Sequence, residues 1–172
     1  MFFKRIKTKA SQKLLNSFLN LRSVKFKTGK IKSVGIIFDF NNFQDYDFFK
    51  LFFTDLGVSI NGIRFITLIG SKDDKPNSWD AFYSKDDFDW FGNCKNVEVD
   101  EFTSTPFDLL ISYYKPNSHE LNLVTAMSKA NFKVGLTTED KRLHDLILDV
   151  KPSQTSTFKI EIIKYLKTLN RI

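Results

Sequence analysis

The sequence is short of cysteine and of long apolar runs. Cys94 is its one cysteine, so the chain can form no internal disulfide, and no group of Cys and His completes a zinc site. The longest apolar runs, such as Val34 to Phe40, fall far below the roughly 20 residues of a membrane-spanning helix. The N-terminal charges do not precede the continuous apolar core of a secretory signal. We therefore expect a cytoplasmic protein.

Acidic residues are missing from residues 1 to 32, which we call the basic segment. It contains ten basic residues, whereas residues 33 to 172 contain the other 16 basic residues and all 20 acidic ones. The net charge of +6 therefore combines a segment of +10 with a body of −4. This asymmetry indicates a segment directed at a polyanion. The candidate RNA- or lipid-binding residues are Lys4, Arg5, Lys7, Lys9, Lys13, Arg22, Lys25, Lys27, Lys30 and Lys32.

Apolar residues in the basic segment recur at steps of three or four, which is typical of one face of a helix. They are Phe3, Ile6, Ala10, Leu14, Phe18 and Leu21, with Leu15 and Leu19 beside them. We expect a basic amphipathic helical arm with a short connector over residues 1 to 32, followed by a single domain over residues 33 to 172.

Strand and helix patterns alternate along the body. Continuous apolar runs and alternating patterns predict strands over residues 33–39, 63–69, 96–99, 108–113, 132–136 and 146–150. Helical spacing predicts helices over residues 45–56, 119–130 and 155–169, with Ser118 as an N-cap and Gly57 as a C-cap glycine. This alternation predicts a three-layer α/β sandwich around a mostly parallel, Rossmann-like sheet.

The turn after the first strand lacks glycine. A dinucleotide site needs glycines there, so that the backbone can approach a pyrophosphate, and Asp39 to Asp45 contains none. We expect no cofactor. Asp39, Asn41, Asn42 and Asp45 resemble ligands of a metal site, but carboxylates also cap turns and helices, and this is the interpretation we favour.

No set of catalytic residues stands out. His119 and His144 fall on different elements without a serine or cysteine motif around them, and His119 is predicted to occupy the surface of a first helical turn. Lys95 is expected to lower the pKa of the neighbouring Cys94. No base lies near this thiol in the sequence, so we expect no nucleophilic role for it.

Residues 72 to 93 form a predicted long loop with a helical turn. Its aromatic residues between Trp79 and Phe91 suggest a contact with a protein partner, because the acids among them would repel a nucleic acid. The alternative is that the loop folds back and buries these rings.

Residues 107–115 and 120–135 resemble an uncharacterised family of Bacteroidota proteins, a domain of unknown function. The same stretch is similar, more weakly, to the N-terminal Rossmann-like half of heptosyltransferase-like enzymes. The first resemblance implies a bacterial cytoplasmic protein, and the second implies the fold alone.

Three functions remain open. The leading hypothesis is a non-enzymatic binding protein whose basic segment docks on RNA or the ribosome. The second is a peripheral membrane protein, located at the inner membrane, that inserts the apolar face of the same helix. The third is a small transferase-like enzyme that uses Asp39. A structural alternative is that the helix packs its apolar face on the body and turns its lysines to solvent.

Overall fold

The computed structural model describes residues 2–22, 29–71, 80–115, 118–136 and 140–172, with the side chains of the first range described from Lys9 onward. The strands are β1 (Val34–Asp39), β2 (Ile63–Leu68), β3 (Ala81–Tyr83), β4 (Leu109–Tyr113), β5 (Lys133–Leu136) and β6 (Leu146–Leu148). The helices are α1 (Phe2–Leu21), α2 (Tyr46–Asp55), α3 (Val97–Ser104), α4 (His119–Met127) and α5 (Thr155–Thr168).

The six strands form one parallel sheet in the order β3-β2-β1-β4-β5-β6. Val34 of β1 pairs with Ile63 on one side and with Leu109 on the other. The strand order therefore reverses between β1 and β4, as in doubly wound dinucleotide-binding folds. The predicted α/β class and Rossmann-like sheet are confirmed.

Helices cover both faces of the sheet. One core contains Phe49 and Phe53 of α2 together with Phe158 of α5. The other contains Phe102 of α3 and Val124 of α4. The central strands are almost wholly buried, because each of their faces lies under a layer of helices, and this explains their continuous apolar sequences.

Helix α1 lies against α4 in the second core. Ser11, Leu15 and Leu19 are buried, whereas Leu21 is 83% exposed. The predicted apolar face included Leu21 and placed Leu15 and Leu19 at its margin, so the buried face is rotated relative to that prediction. Arg142, in the β5–β6 connection, supports this packing by donating to the side-chain oxygens of Asn16 and Asn20 at 2.9 and 3.0 Å.

Two predicted elements differ from the structure. Residues 96–99 were expected as a strand, but Val97–Ser104 is helix α3. Asn96 is its N-cap, because its side-chain oxygen accepts the N–H groups of Glu98 and Val99 at 2.8 and 3.3 Å. The predicted loop over residues 72–93 contains strand β3, which pairs with the end of β2, and a short turn of 3-10 helix at Lys85–Asp87.

Aromatic packing holds the glycine-free turn between β1 and α2. The Phe43 ring contacts those of Tyr113, Phe49 and Phe38 edge to face, with centroids 4.9, 5.5 and 5.7 Å apart. Phe158 of α5 lies 5.0 Å from Tyr113 in the same cluster. Such contacts add stability beyond the buried area, so phenylalanine fixes a turn that glycine shapes in dinucleotide-binding proteins.

Candidate functional site

A crevice lies at the carboxyl edge of the sheet, where β1 and β4 end side by side. In open α/β sheets, ligands bind at this point because the loops from the two strands diverge there. The crevice has two clefts, and both are lined by Asn42 and Lys115. The loops that follow the strands therefore provide two adjoining spaces for a ligand.

The smaller cleft, of about 460 Å³, is polar. Its lining includes the acids Asp39 and Glu120, the lysines Lys85 and Lys115, and Ser118 at the start of α4. None of the ion pairs found among the described residues involves either lysine. The cleft thus contains equal numbers of positive and negative side chains within reach of a small molecule.

The larger cleft, of about 720 Å³, is more apolar. Leu136, Val150 and Pro152 are buried side chains in its wall. Lys115 and Lys151 contribute positive charge, and Asp149 contributes a carboxylate. Its size lies within the range of small-molecule sites in proteins, about 300 to 1,000 Å³.

Asp39 and Asp45 act as capping residues. The Asp39 carboxylate accepts the N–H of Asn41 at 2.9 Å and the side-chain amide of Asn42 at 2.6 Å. Asp45 accepts the N–H of Phe48 at 2.9 Å as the N-cap of α2. The capping interpretation is confirmed, and no group of three or more candidate metal ligands occurs among the described residues.

The side chain of Tyr83 is buried in the second core. Tyr83 ends β3, and its carbonyl accepts the N–H of Ile69, which lines that cleft, at 2.8 Å. The side chain is fully buried, and no described residue makes a hydrogen bond with its hydroxyl. Burial raises the pKa of Tyr83 well above its ordinary value, and Tyr114 and Glu120 raise it further.

The residues predicted to bind RNA or lipid differ in their exposure. Lys9, Lys13, Lys30 and Lys32 are exposed to solvent. Lys4, Arg5 and Lys7 belong to helix α1, but their side chains lie outside the described part of the structure, as do Lys25 and Lys27 entirely.

Arg22 differs from the exposed lysines because it takes part in the fold. Its guanidinium forms an ion pair with Asp145, and both side chains are largely buried. The Asp145 oxygen that binds Arg22 also accepts the N–H of Lys133 at 2.8 Å. Arg22 therefore joins the end of α1 to the β5–β6 connection, and it is not available to a polyanion.

The start of α4 also binds helix α1. The Nε2 atom of His119 and the hydroxyl of Ser11 form a hydrogen bond of 2.5 Å. Gly92 contacts the same serine, and a Cβ at this glycine would lie 2.6 Å from the Ser11 oxygen. His119 was predicted to lie at the surface, but it is half-buried in this contact, and burial lowers its pKa.

Lys133 and His144 are buried near Arg22. The Lys133 ammonium donates to the carbonyls of Thr125 and Ala126 at 2.6 and 3.3 Å, at the C-terminal end of α4. Burial lowers the pKa of Lys133 to about 7 and that of His144 to about 3. No described residue makes a hydrogen bond with either ring nitrogen of His144. Lys133 thus connects β5 to α4, and Arg22 connects the end of α1 to the residue before β6.

The aromatic residues of the predicted partner loop divide into two groups. Tyr83 and Phe88 are buried, whereas Trp90 and Phe91 are 56% and 65% exposed. Trp79 lies outside the described residues. The acid between the two groups, Asp89, accepts the N–H groups of Phe91 and Asn93 at 2.8 and 3.0 Å, and so it shapes the turn that carries the exposed rings.

The pKa of Cys94 is raised, although Lys95 beside it led us to expect a lowered one. Burial raises the pKa of this thiol, and the carboxylates of Asp87 and Asp100 raise it further. The protonated form is therefore favoured at neutral pH, which makes Cys94 a weak nucleophile.

Sequence reasoning missed strand β3, Lys133 and the structural role of Arg22. Strand β3 has only three residues, which is too short for the alternating pattern that predicts a strand. Lys133 was an expected strand residue, and a lysine in a buried strand was the one signal that its ammonium needs a partner inside the fold.

Among the described residues, no helix is both long and apolar enough to cross a bilayer.

Comparison with known proteins shows which family this chain belongs to. No curated protein and no solved structure gives a significant match to the chain. The model of the DUF6913 family, a family of unknown function, matches residues 7–169. The chain therefore belongs to the DUF6913 family.

Proposed function

We propose that this protein is a cytoplasmic, non-enzymatic binding protein whose basic segment docks on RNA, with the ribosome as the candidate site. The observation that carries the proposal is that residues 1 to 32 contain no acid and nine basic residues besides the Arg22 that pairs with Asp145. Phosphate groups attract such a segment, and the release of their counterions strengthens binding at low salt. The contacts would position the protein on RNA without reading its sequence.

The packing of helix α1 favours a polyanion, and not the interior of a membrane, as the partner of the basic segment. Leu15 and Leu19 are buried in the core with residues of α4, and Phe18 is partly buried against the same core. These apolar side chains are engaged by the body, whereas Lys9 and Lys13 on the same helix are exposed. A helix packed in this way exposes more positive charge than apolar surface to a partner.

Lys30 and Lys32 are two further cations of the basic segment that we propose to contact RNA. Both side chains are exposed just before β1. The backbone between them is fixed by a hydrogen bond, because Ile31 donates its N–H to the carbonyl of Arg171 at 2.9 Å. The carboxylate of Asp108 accepts the N–H of Lys32 at 3.0 Å. Two lysines are thus held on a rigid part of the fold, which lowers the entropy lost on binding.

The experiment compares charge variants, because deletion of residues 1 to 32 would uncover the core residues beneath Leu15 and Leu19. In the test variant, Lys9, Lys13, Lys30 and Lys32 are replaced by Gln. In the matched control, Lys50, Lys159, Lys164 and Lys167, on helices α2 and α5 of the opposite face, are replaced by Gln. Lysate containing each protein is run on sucrose gradients at increasing salt.

We expect the natural protein and the control variant to migrate with ribosomes at low salt and to leave them as salt rises. The test variant should leave the ribosomes at a lower salt concentration than the control variant does, because four of its cationic side chains are lost. Equal behaviour of the two variants would contradict the proposal. Binding of the natural protein to anionic vesicles in place of RNA would favour the membrane alternative and would also contradict it.

A further inference from the structure

Two neighbouring aromatic side chains are exposed at the tip of a turn over residues 88–94, which we call the aromatic turn. Trp90 and Phe91 are 56% and 65% exposed. Phe88, at the base of the turn, is buried in the second core and pairs with Cys94 in an antiparallel bridge. The aromatic turn therefore holds one ring in the body and presents two rings to solvent.

Hydrogen bonds fix the conformation of the aromatic turn. Asp89 donates its N–H to the carbonyl of Asn93 at 2.9 Å, and Gly92 donates its N–H to the carbonyl of Asp89 at 3.1 Å. Gly92 has a φ of 91°, which glycine adopts without strain. Rings presented by a turn that is already ordered lose little conformational entropy when they bind a partner.

The aromatic turn packs against helix α1 of the basic segment. A Cβ at Gly92 would lie 3.2 Å from the Ser11 Cβ and 3.3 Å from its Cα, so the two backbones are in close contact. Lys9 and Lys13, two residues before and after Ser11, are exposed. Lys95, directly after the turn, is exposed as well. The exposed rings therefore lie beside exposed cations.

The acids of this region bind N–H groups of the protein itself. The Asp89 carboxylate accepts N–H groups within the aromatic turn, and the Asp87 carboxylate accepts the N–H of Ser84 at 2.7 Å. Asp86 is exposed, in a segment that begins and ends with the exposed lysines Lys85 and Lys95. The repulsion of phosphate that the sequence suggested is therefore reduced in the fold, where two of the three carboxylates face into turns.

We propose that the RNA bound by this protein is single-stranded where it docks, and that Trp90 and Phe91 stack on its unpaired bases. This inference rests on the proposed RNA docking and names the class of RNA. Aromatic rings beside cations are suited to a single strand, because bases stack on the rings while lysines contact the phosphates. Bases inside a duplex are stacked on each other and cannot stack on these rings.

The first measurement compares two purified RNAs with the full chain. One is a short single strand without self-complementarity, and the other is a fully paired duplex of the same length. The chain contains two tryptophans, so Trp79→Phe leaves Trp90 as the single fluorophore. We expect the single strand to bind more tightly than the duplex and to quench the fluorescence of Trp90.

Substitutions then test the stacking contacts. Trp90→Ala and Phe91→Ala should each weaken binding of the single strand by about tenfold or more, the effect of losing one stacked base. The salt dependence of binding should not change, because a ring releases no counterions. Tyr165→Ala, which removes a partly exposed ring on α5, is the matched control and should leave binding unchanged. Thermal unfolding reports whether each variant is folded.

Three results would overturn the inference while RNA docking stands. The first is equal affinity for the single strand and the duplex. The second is unchanged affinity for the single strand in both Trp90→Ala and Phe91→Ala. The third is that these variants leave ribosomes in the gradients but keep their affinity for purified RNA, since the rings would then contact a protein. If the natural protein binds neither RNA, the proposed function itself fails, and this inference fails with it.

Discussion

Arg22, the residue after helix α1, forms an ion pair with Asp145, the residue before strand β6. The pair is largely buried, and the N–H of Lys133 binds the same Asp145 oxygen. A residue that looks in the sequence like one more cation of the basic segment therefore stabilises the fold. Lys9 and Lys13, on the same helix, remain exposed.

Replacing Arg22 by Gln should lower the free energy of unfolding by about 3 kcal/mol, because it leaves the Asp145 carboxylate buried without its charged partner. The exposed residue Lys13 is the control, and Lys13→Gln should change the free energy of unfolding by less than about 0.5 kcal/mol. Urea denaturation of both variants measures the difference. Equal losses would show that the ion pair does not anchor helix α1.

Replacing Tyr83 by Phe should stabilise the ligand-free protein by about 1 kcal/mol, because the change removes a buried hydroxyl that no described residue binds. The control is Tyr113→Phe. Its hydroxyl donates to the carbonyl of Pro152 at 2.8 Å, so this change should destabilise the protein by about 1 kcal/mol. Thermal unfolding of both variants gives the signs, and a loss of stability in Tyr83→Phe would contradict the account of this hydroxyl.

Stability should fall as the pH decreases from about 6.5 toward 3. Burial lowers the pKa of His144 from 6.5 to about 3, so the unfolded chain binds a proton at a higher pH than the folded chain does. The contribution of His144 is complete above pH 6.5 and is lost as the pH falls through this window, at up to about 1.4 kcal/mol per pH unit.

His144→Gln should reduce this pH dependence by about one proton, measured as the slope of the free energy of unfolding against pH. Some dependence should remain, because burial also lowers the pKa of His119, which acts in the same direction. An unchanged slope in His144→Gln would mean that this histidine takes up its proton equally in the folded and unfolded chains.

Much of the fold could be predicted because the central strands are buried on both faces. Such burial requires mostly apolar strands, and residues 34–38, 65–68 and 109–113 have that composition. Gly57 was also predicted correctly as a helix-terminating glycine, and its φ of 90° is a conformation that glycine adopts without strain.

Short elements with local capping could not be predicted in the same way. Val97-Glu98-Val99 alternates like a strand, but the Asn96 side chain binds the first N–H groups of a helix, and this favours α3. The apolar residues of α1 form two adjacent rows, and only the shape of the body selects the row of Leu15 and Leu19 for burial.

The crevice could not be predicted from the sequence because its position depends on the order of the strands in the sheet. Asp39, Leu68 and Lys115 are far apart in the chain, and they line one cleft because β1 lies between β2 and β4. The absence of glycine after β1 argues against a pyrophosphate loop. It did not exclude a ligand held by side chains.

The most direct test of the central claim is the salt dependence of RNA affinity, measured with the purified protein and its two charge variants. Each phosphate contact contributes about 0.7 to 0.9 to the slope of log affinity against log salt. Replacing Lys9, Lys13, Lys30 and Lys32 by Gln should therefore reduce the magnitude of the slope by about 3, and the variant of Lys50, Lys159, Lys164 and Lys167 should keep the natural slope. An equal slope in the two variants would contradict docking through the basic segment.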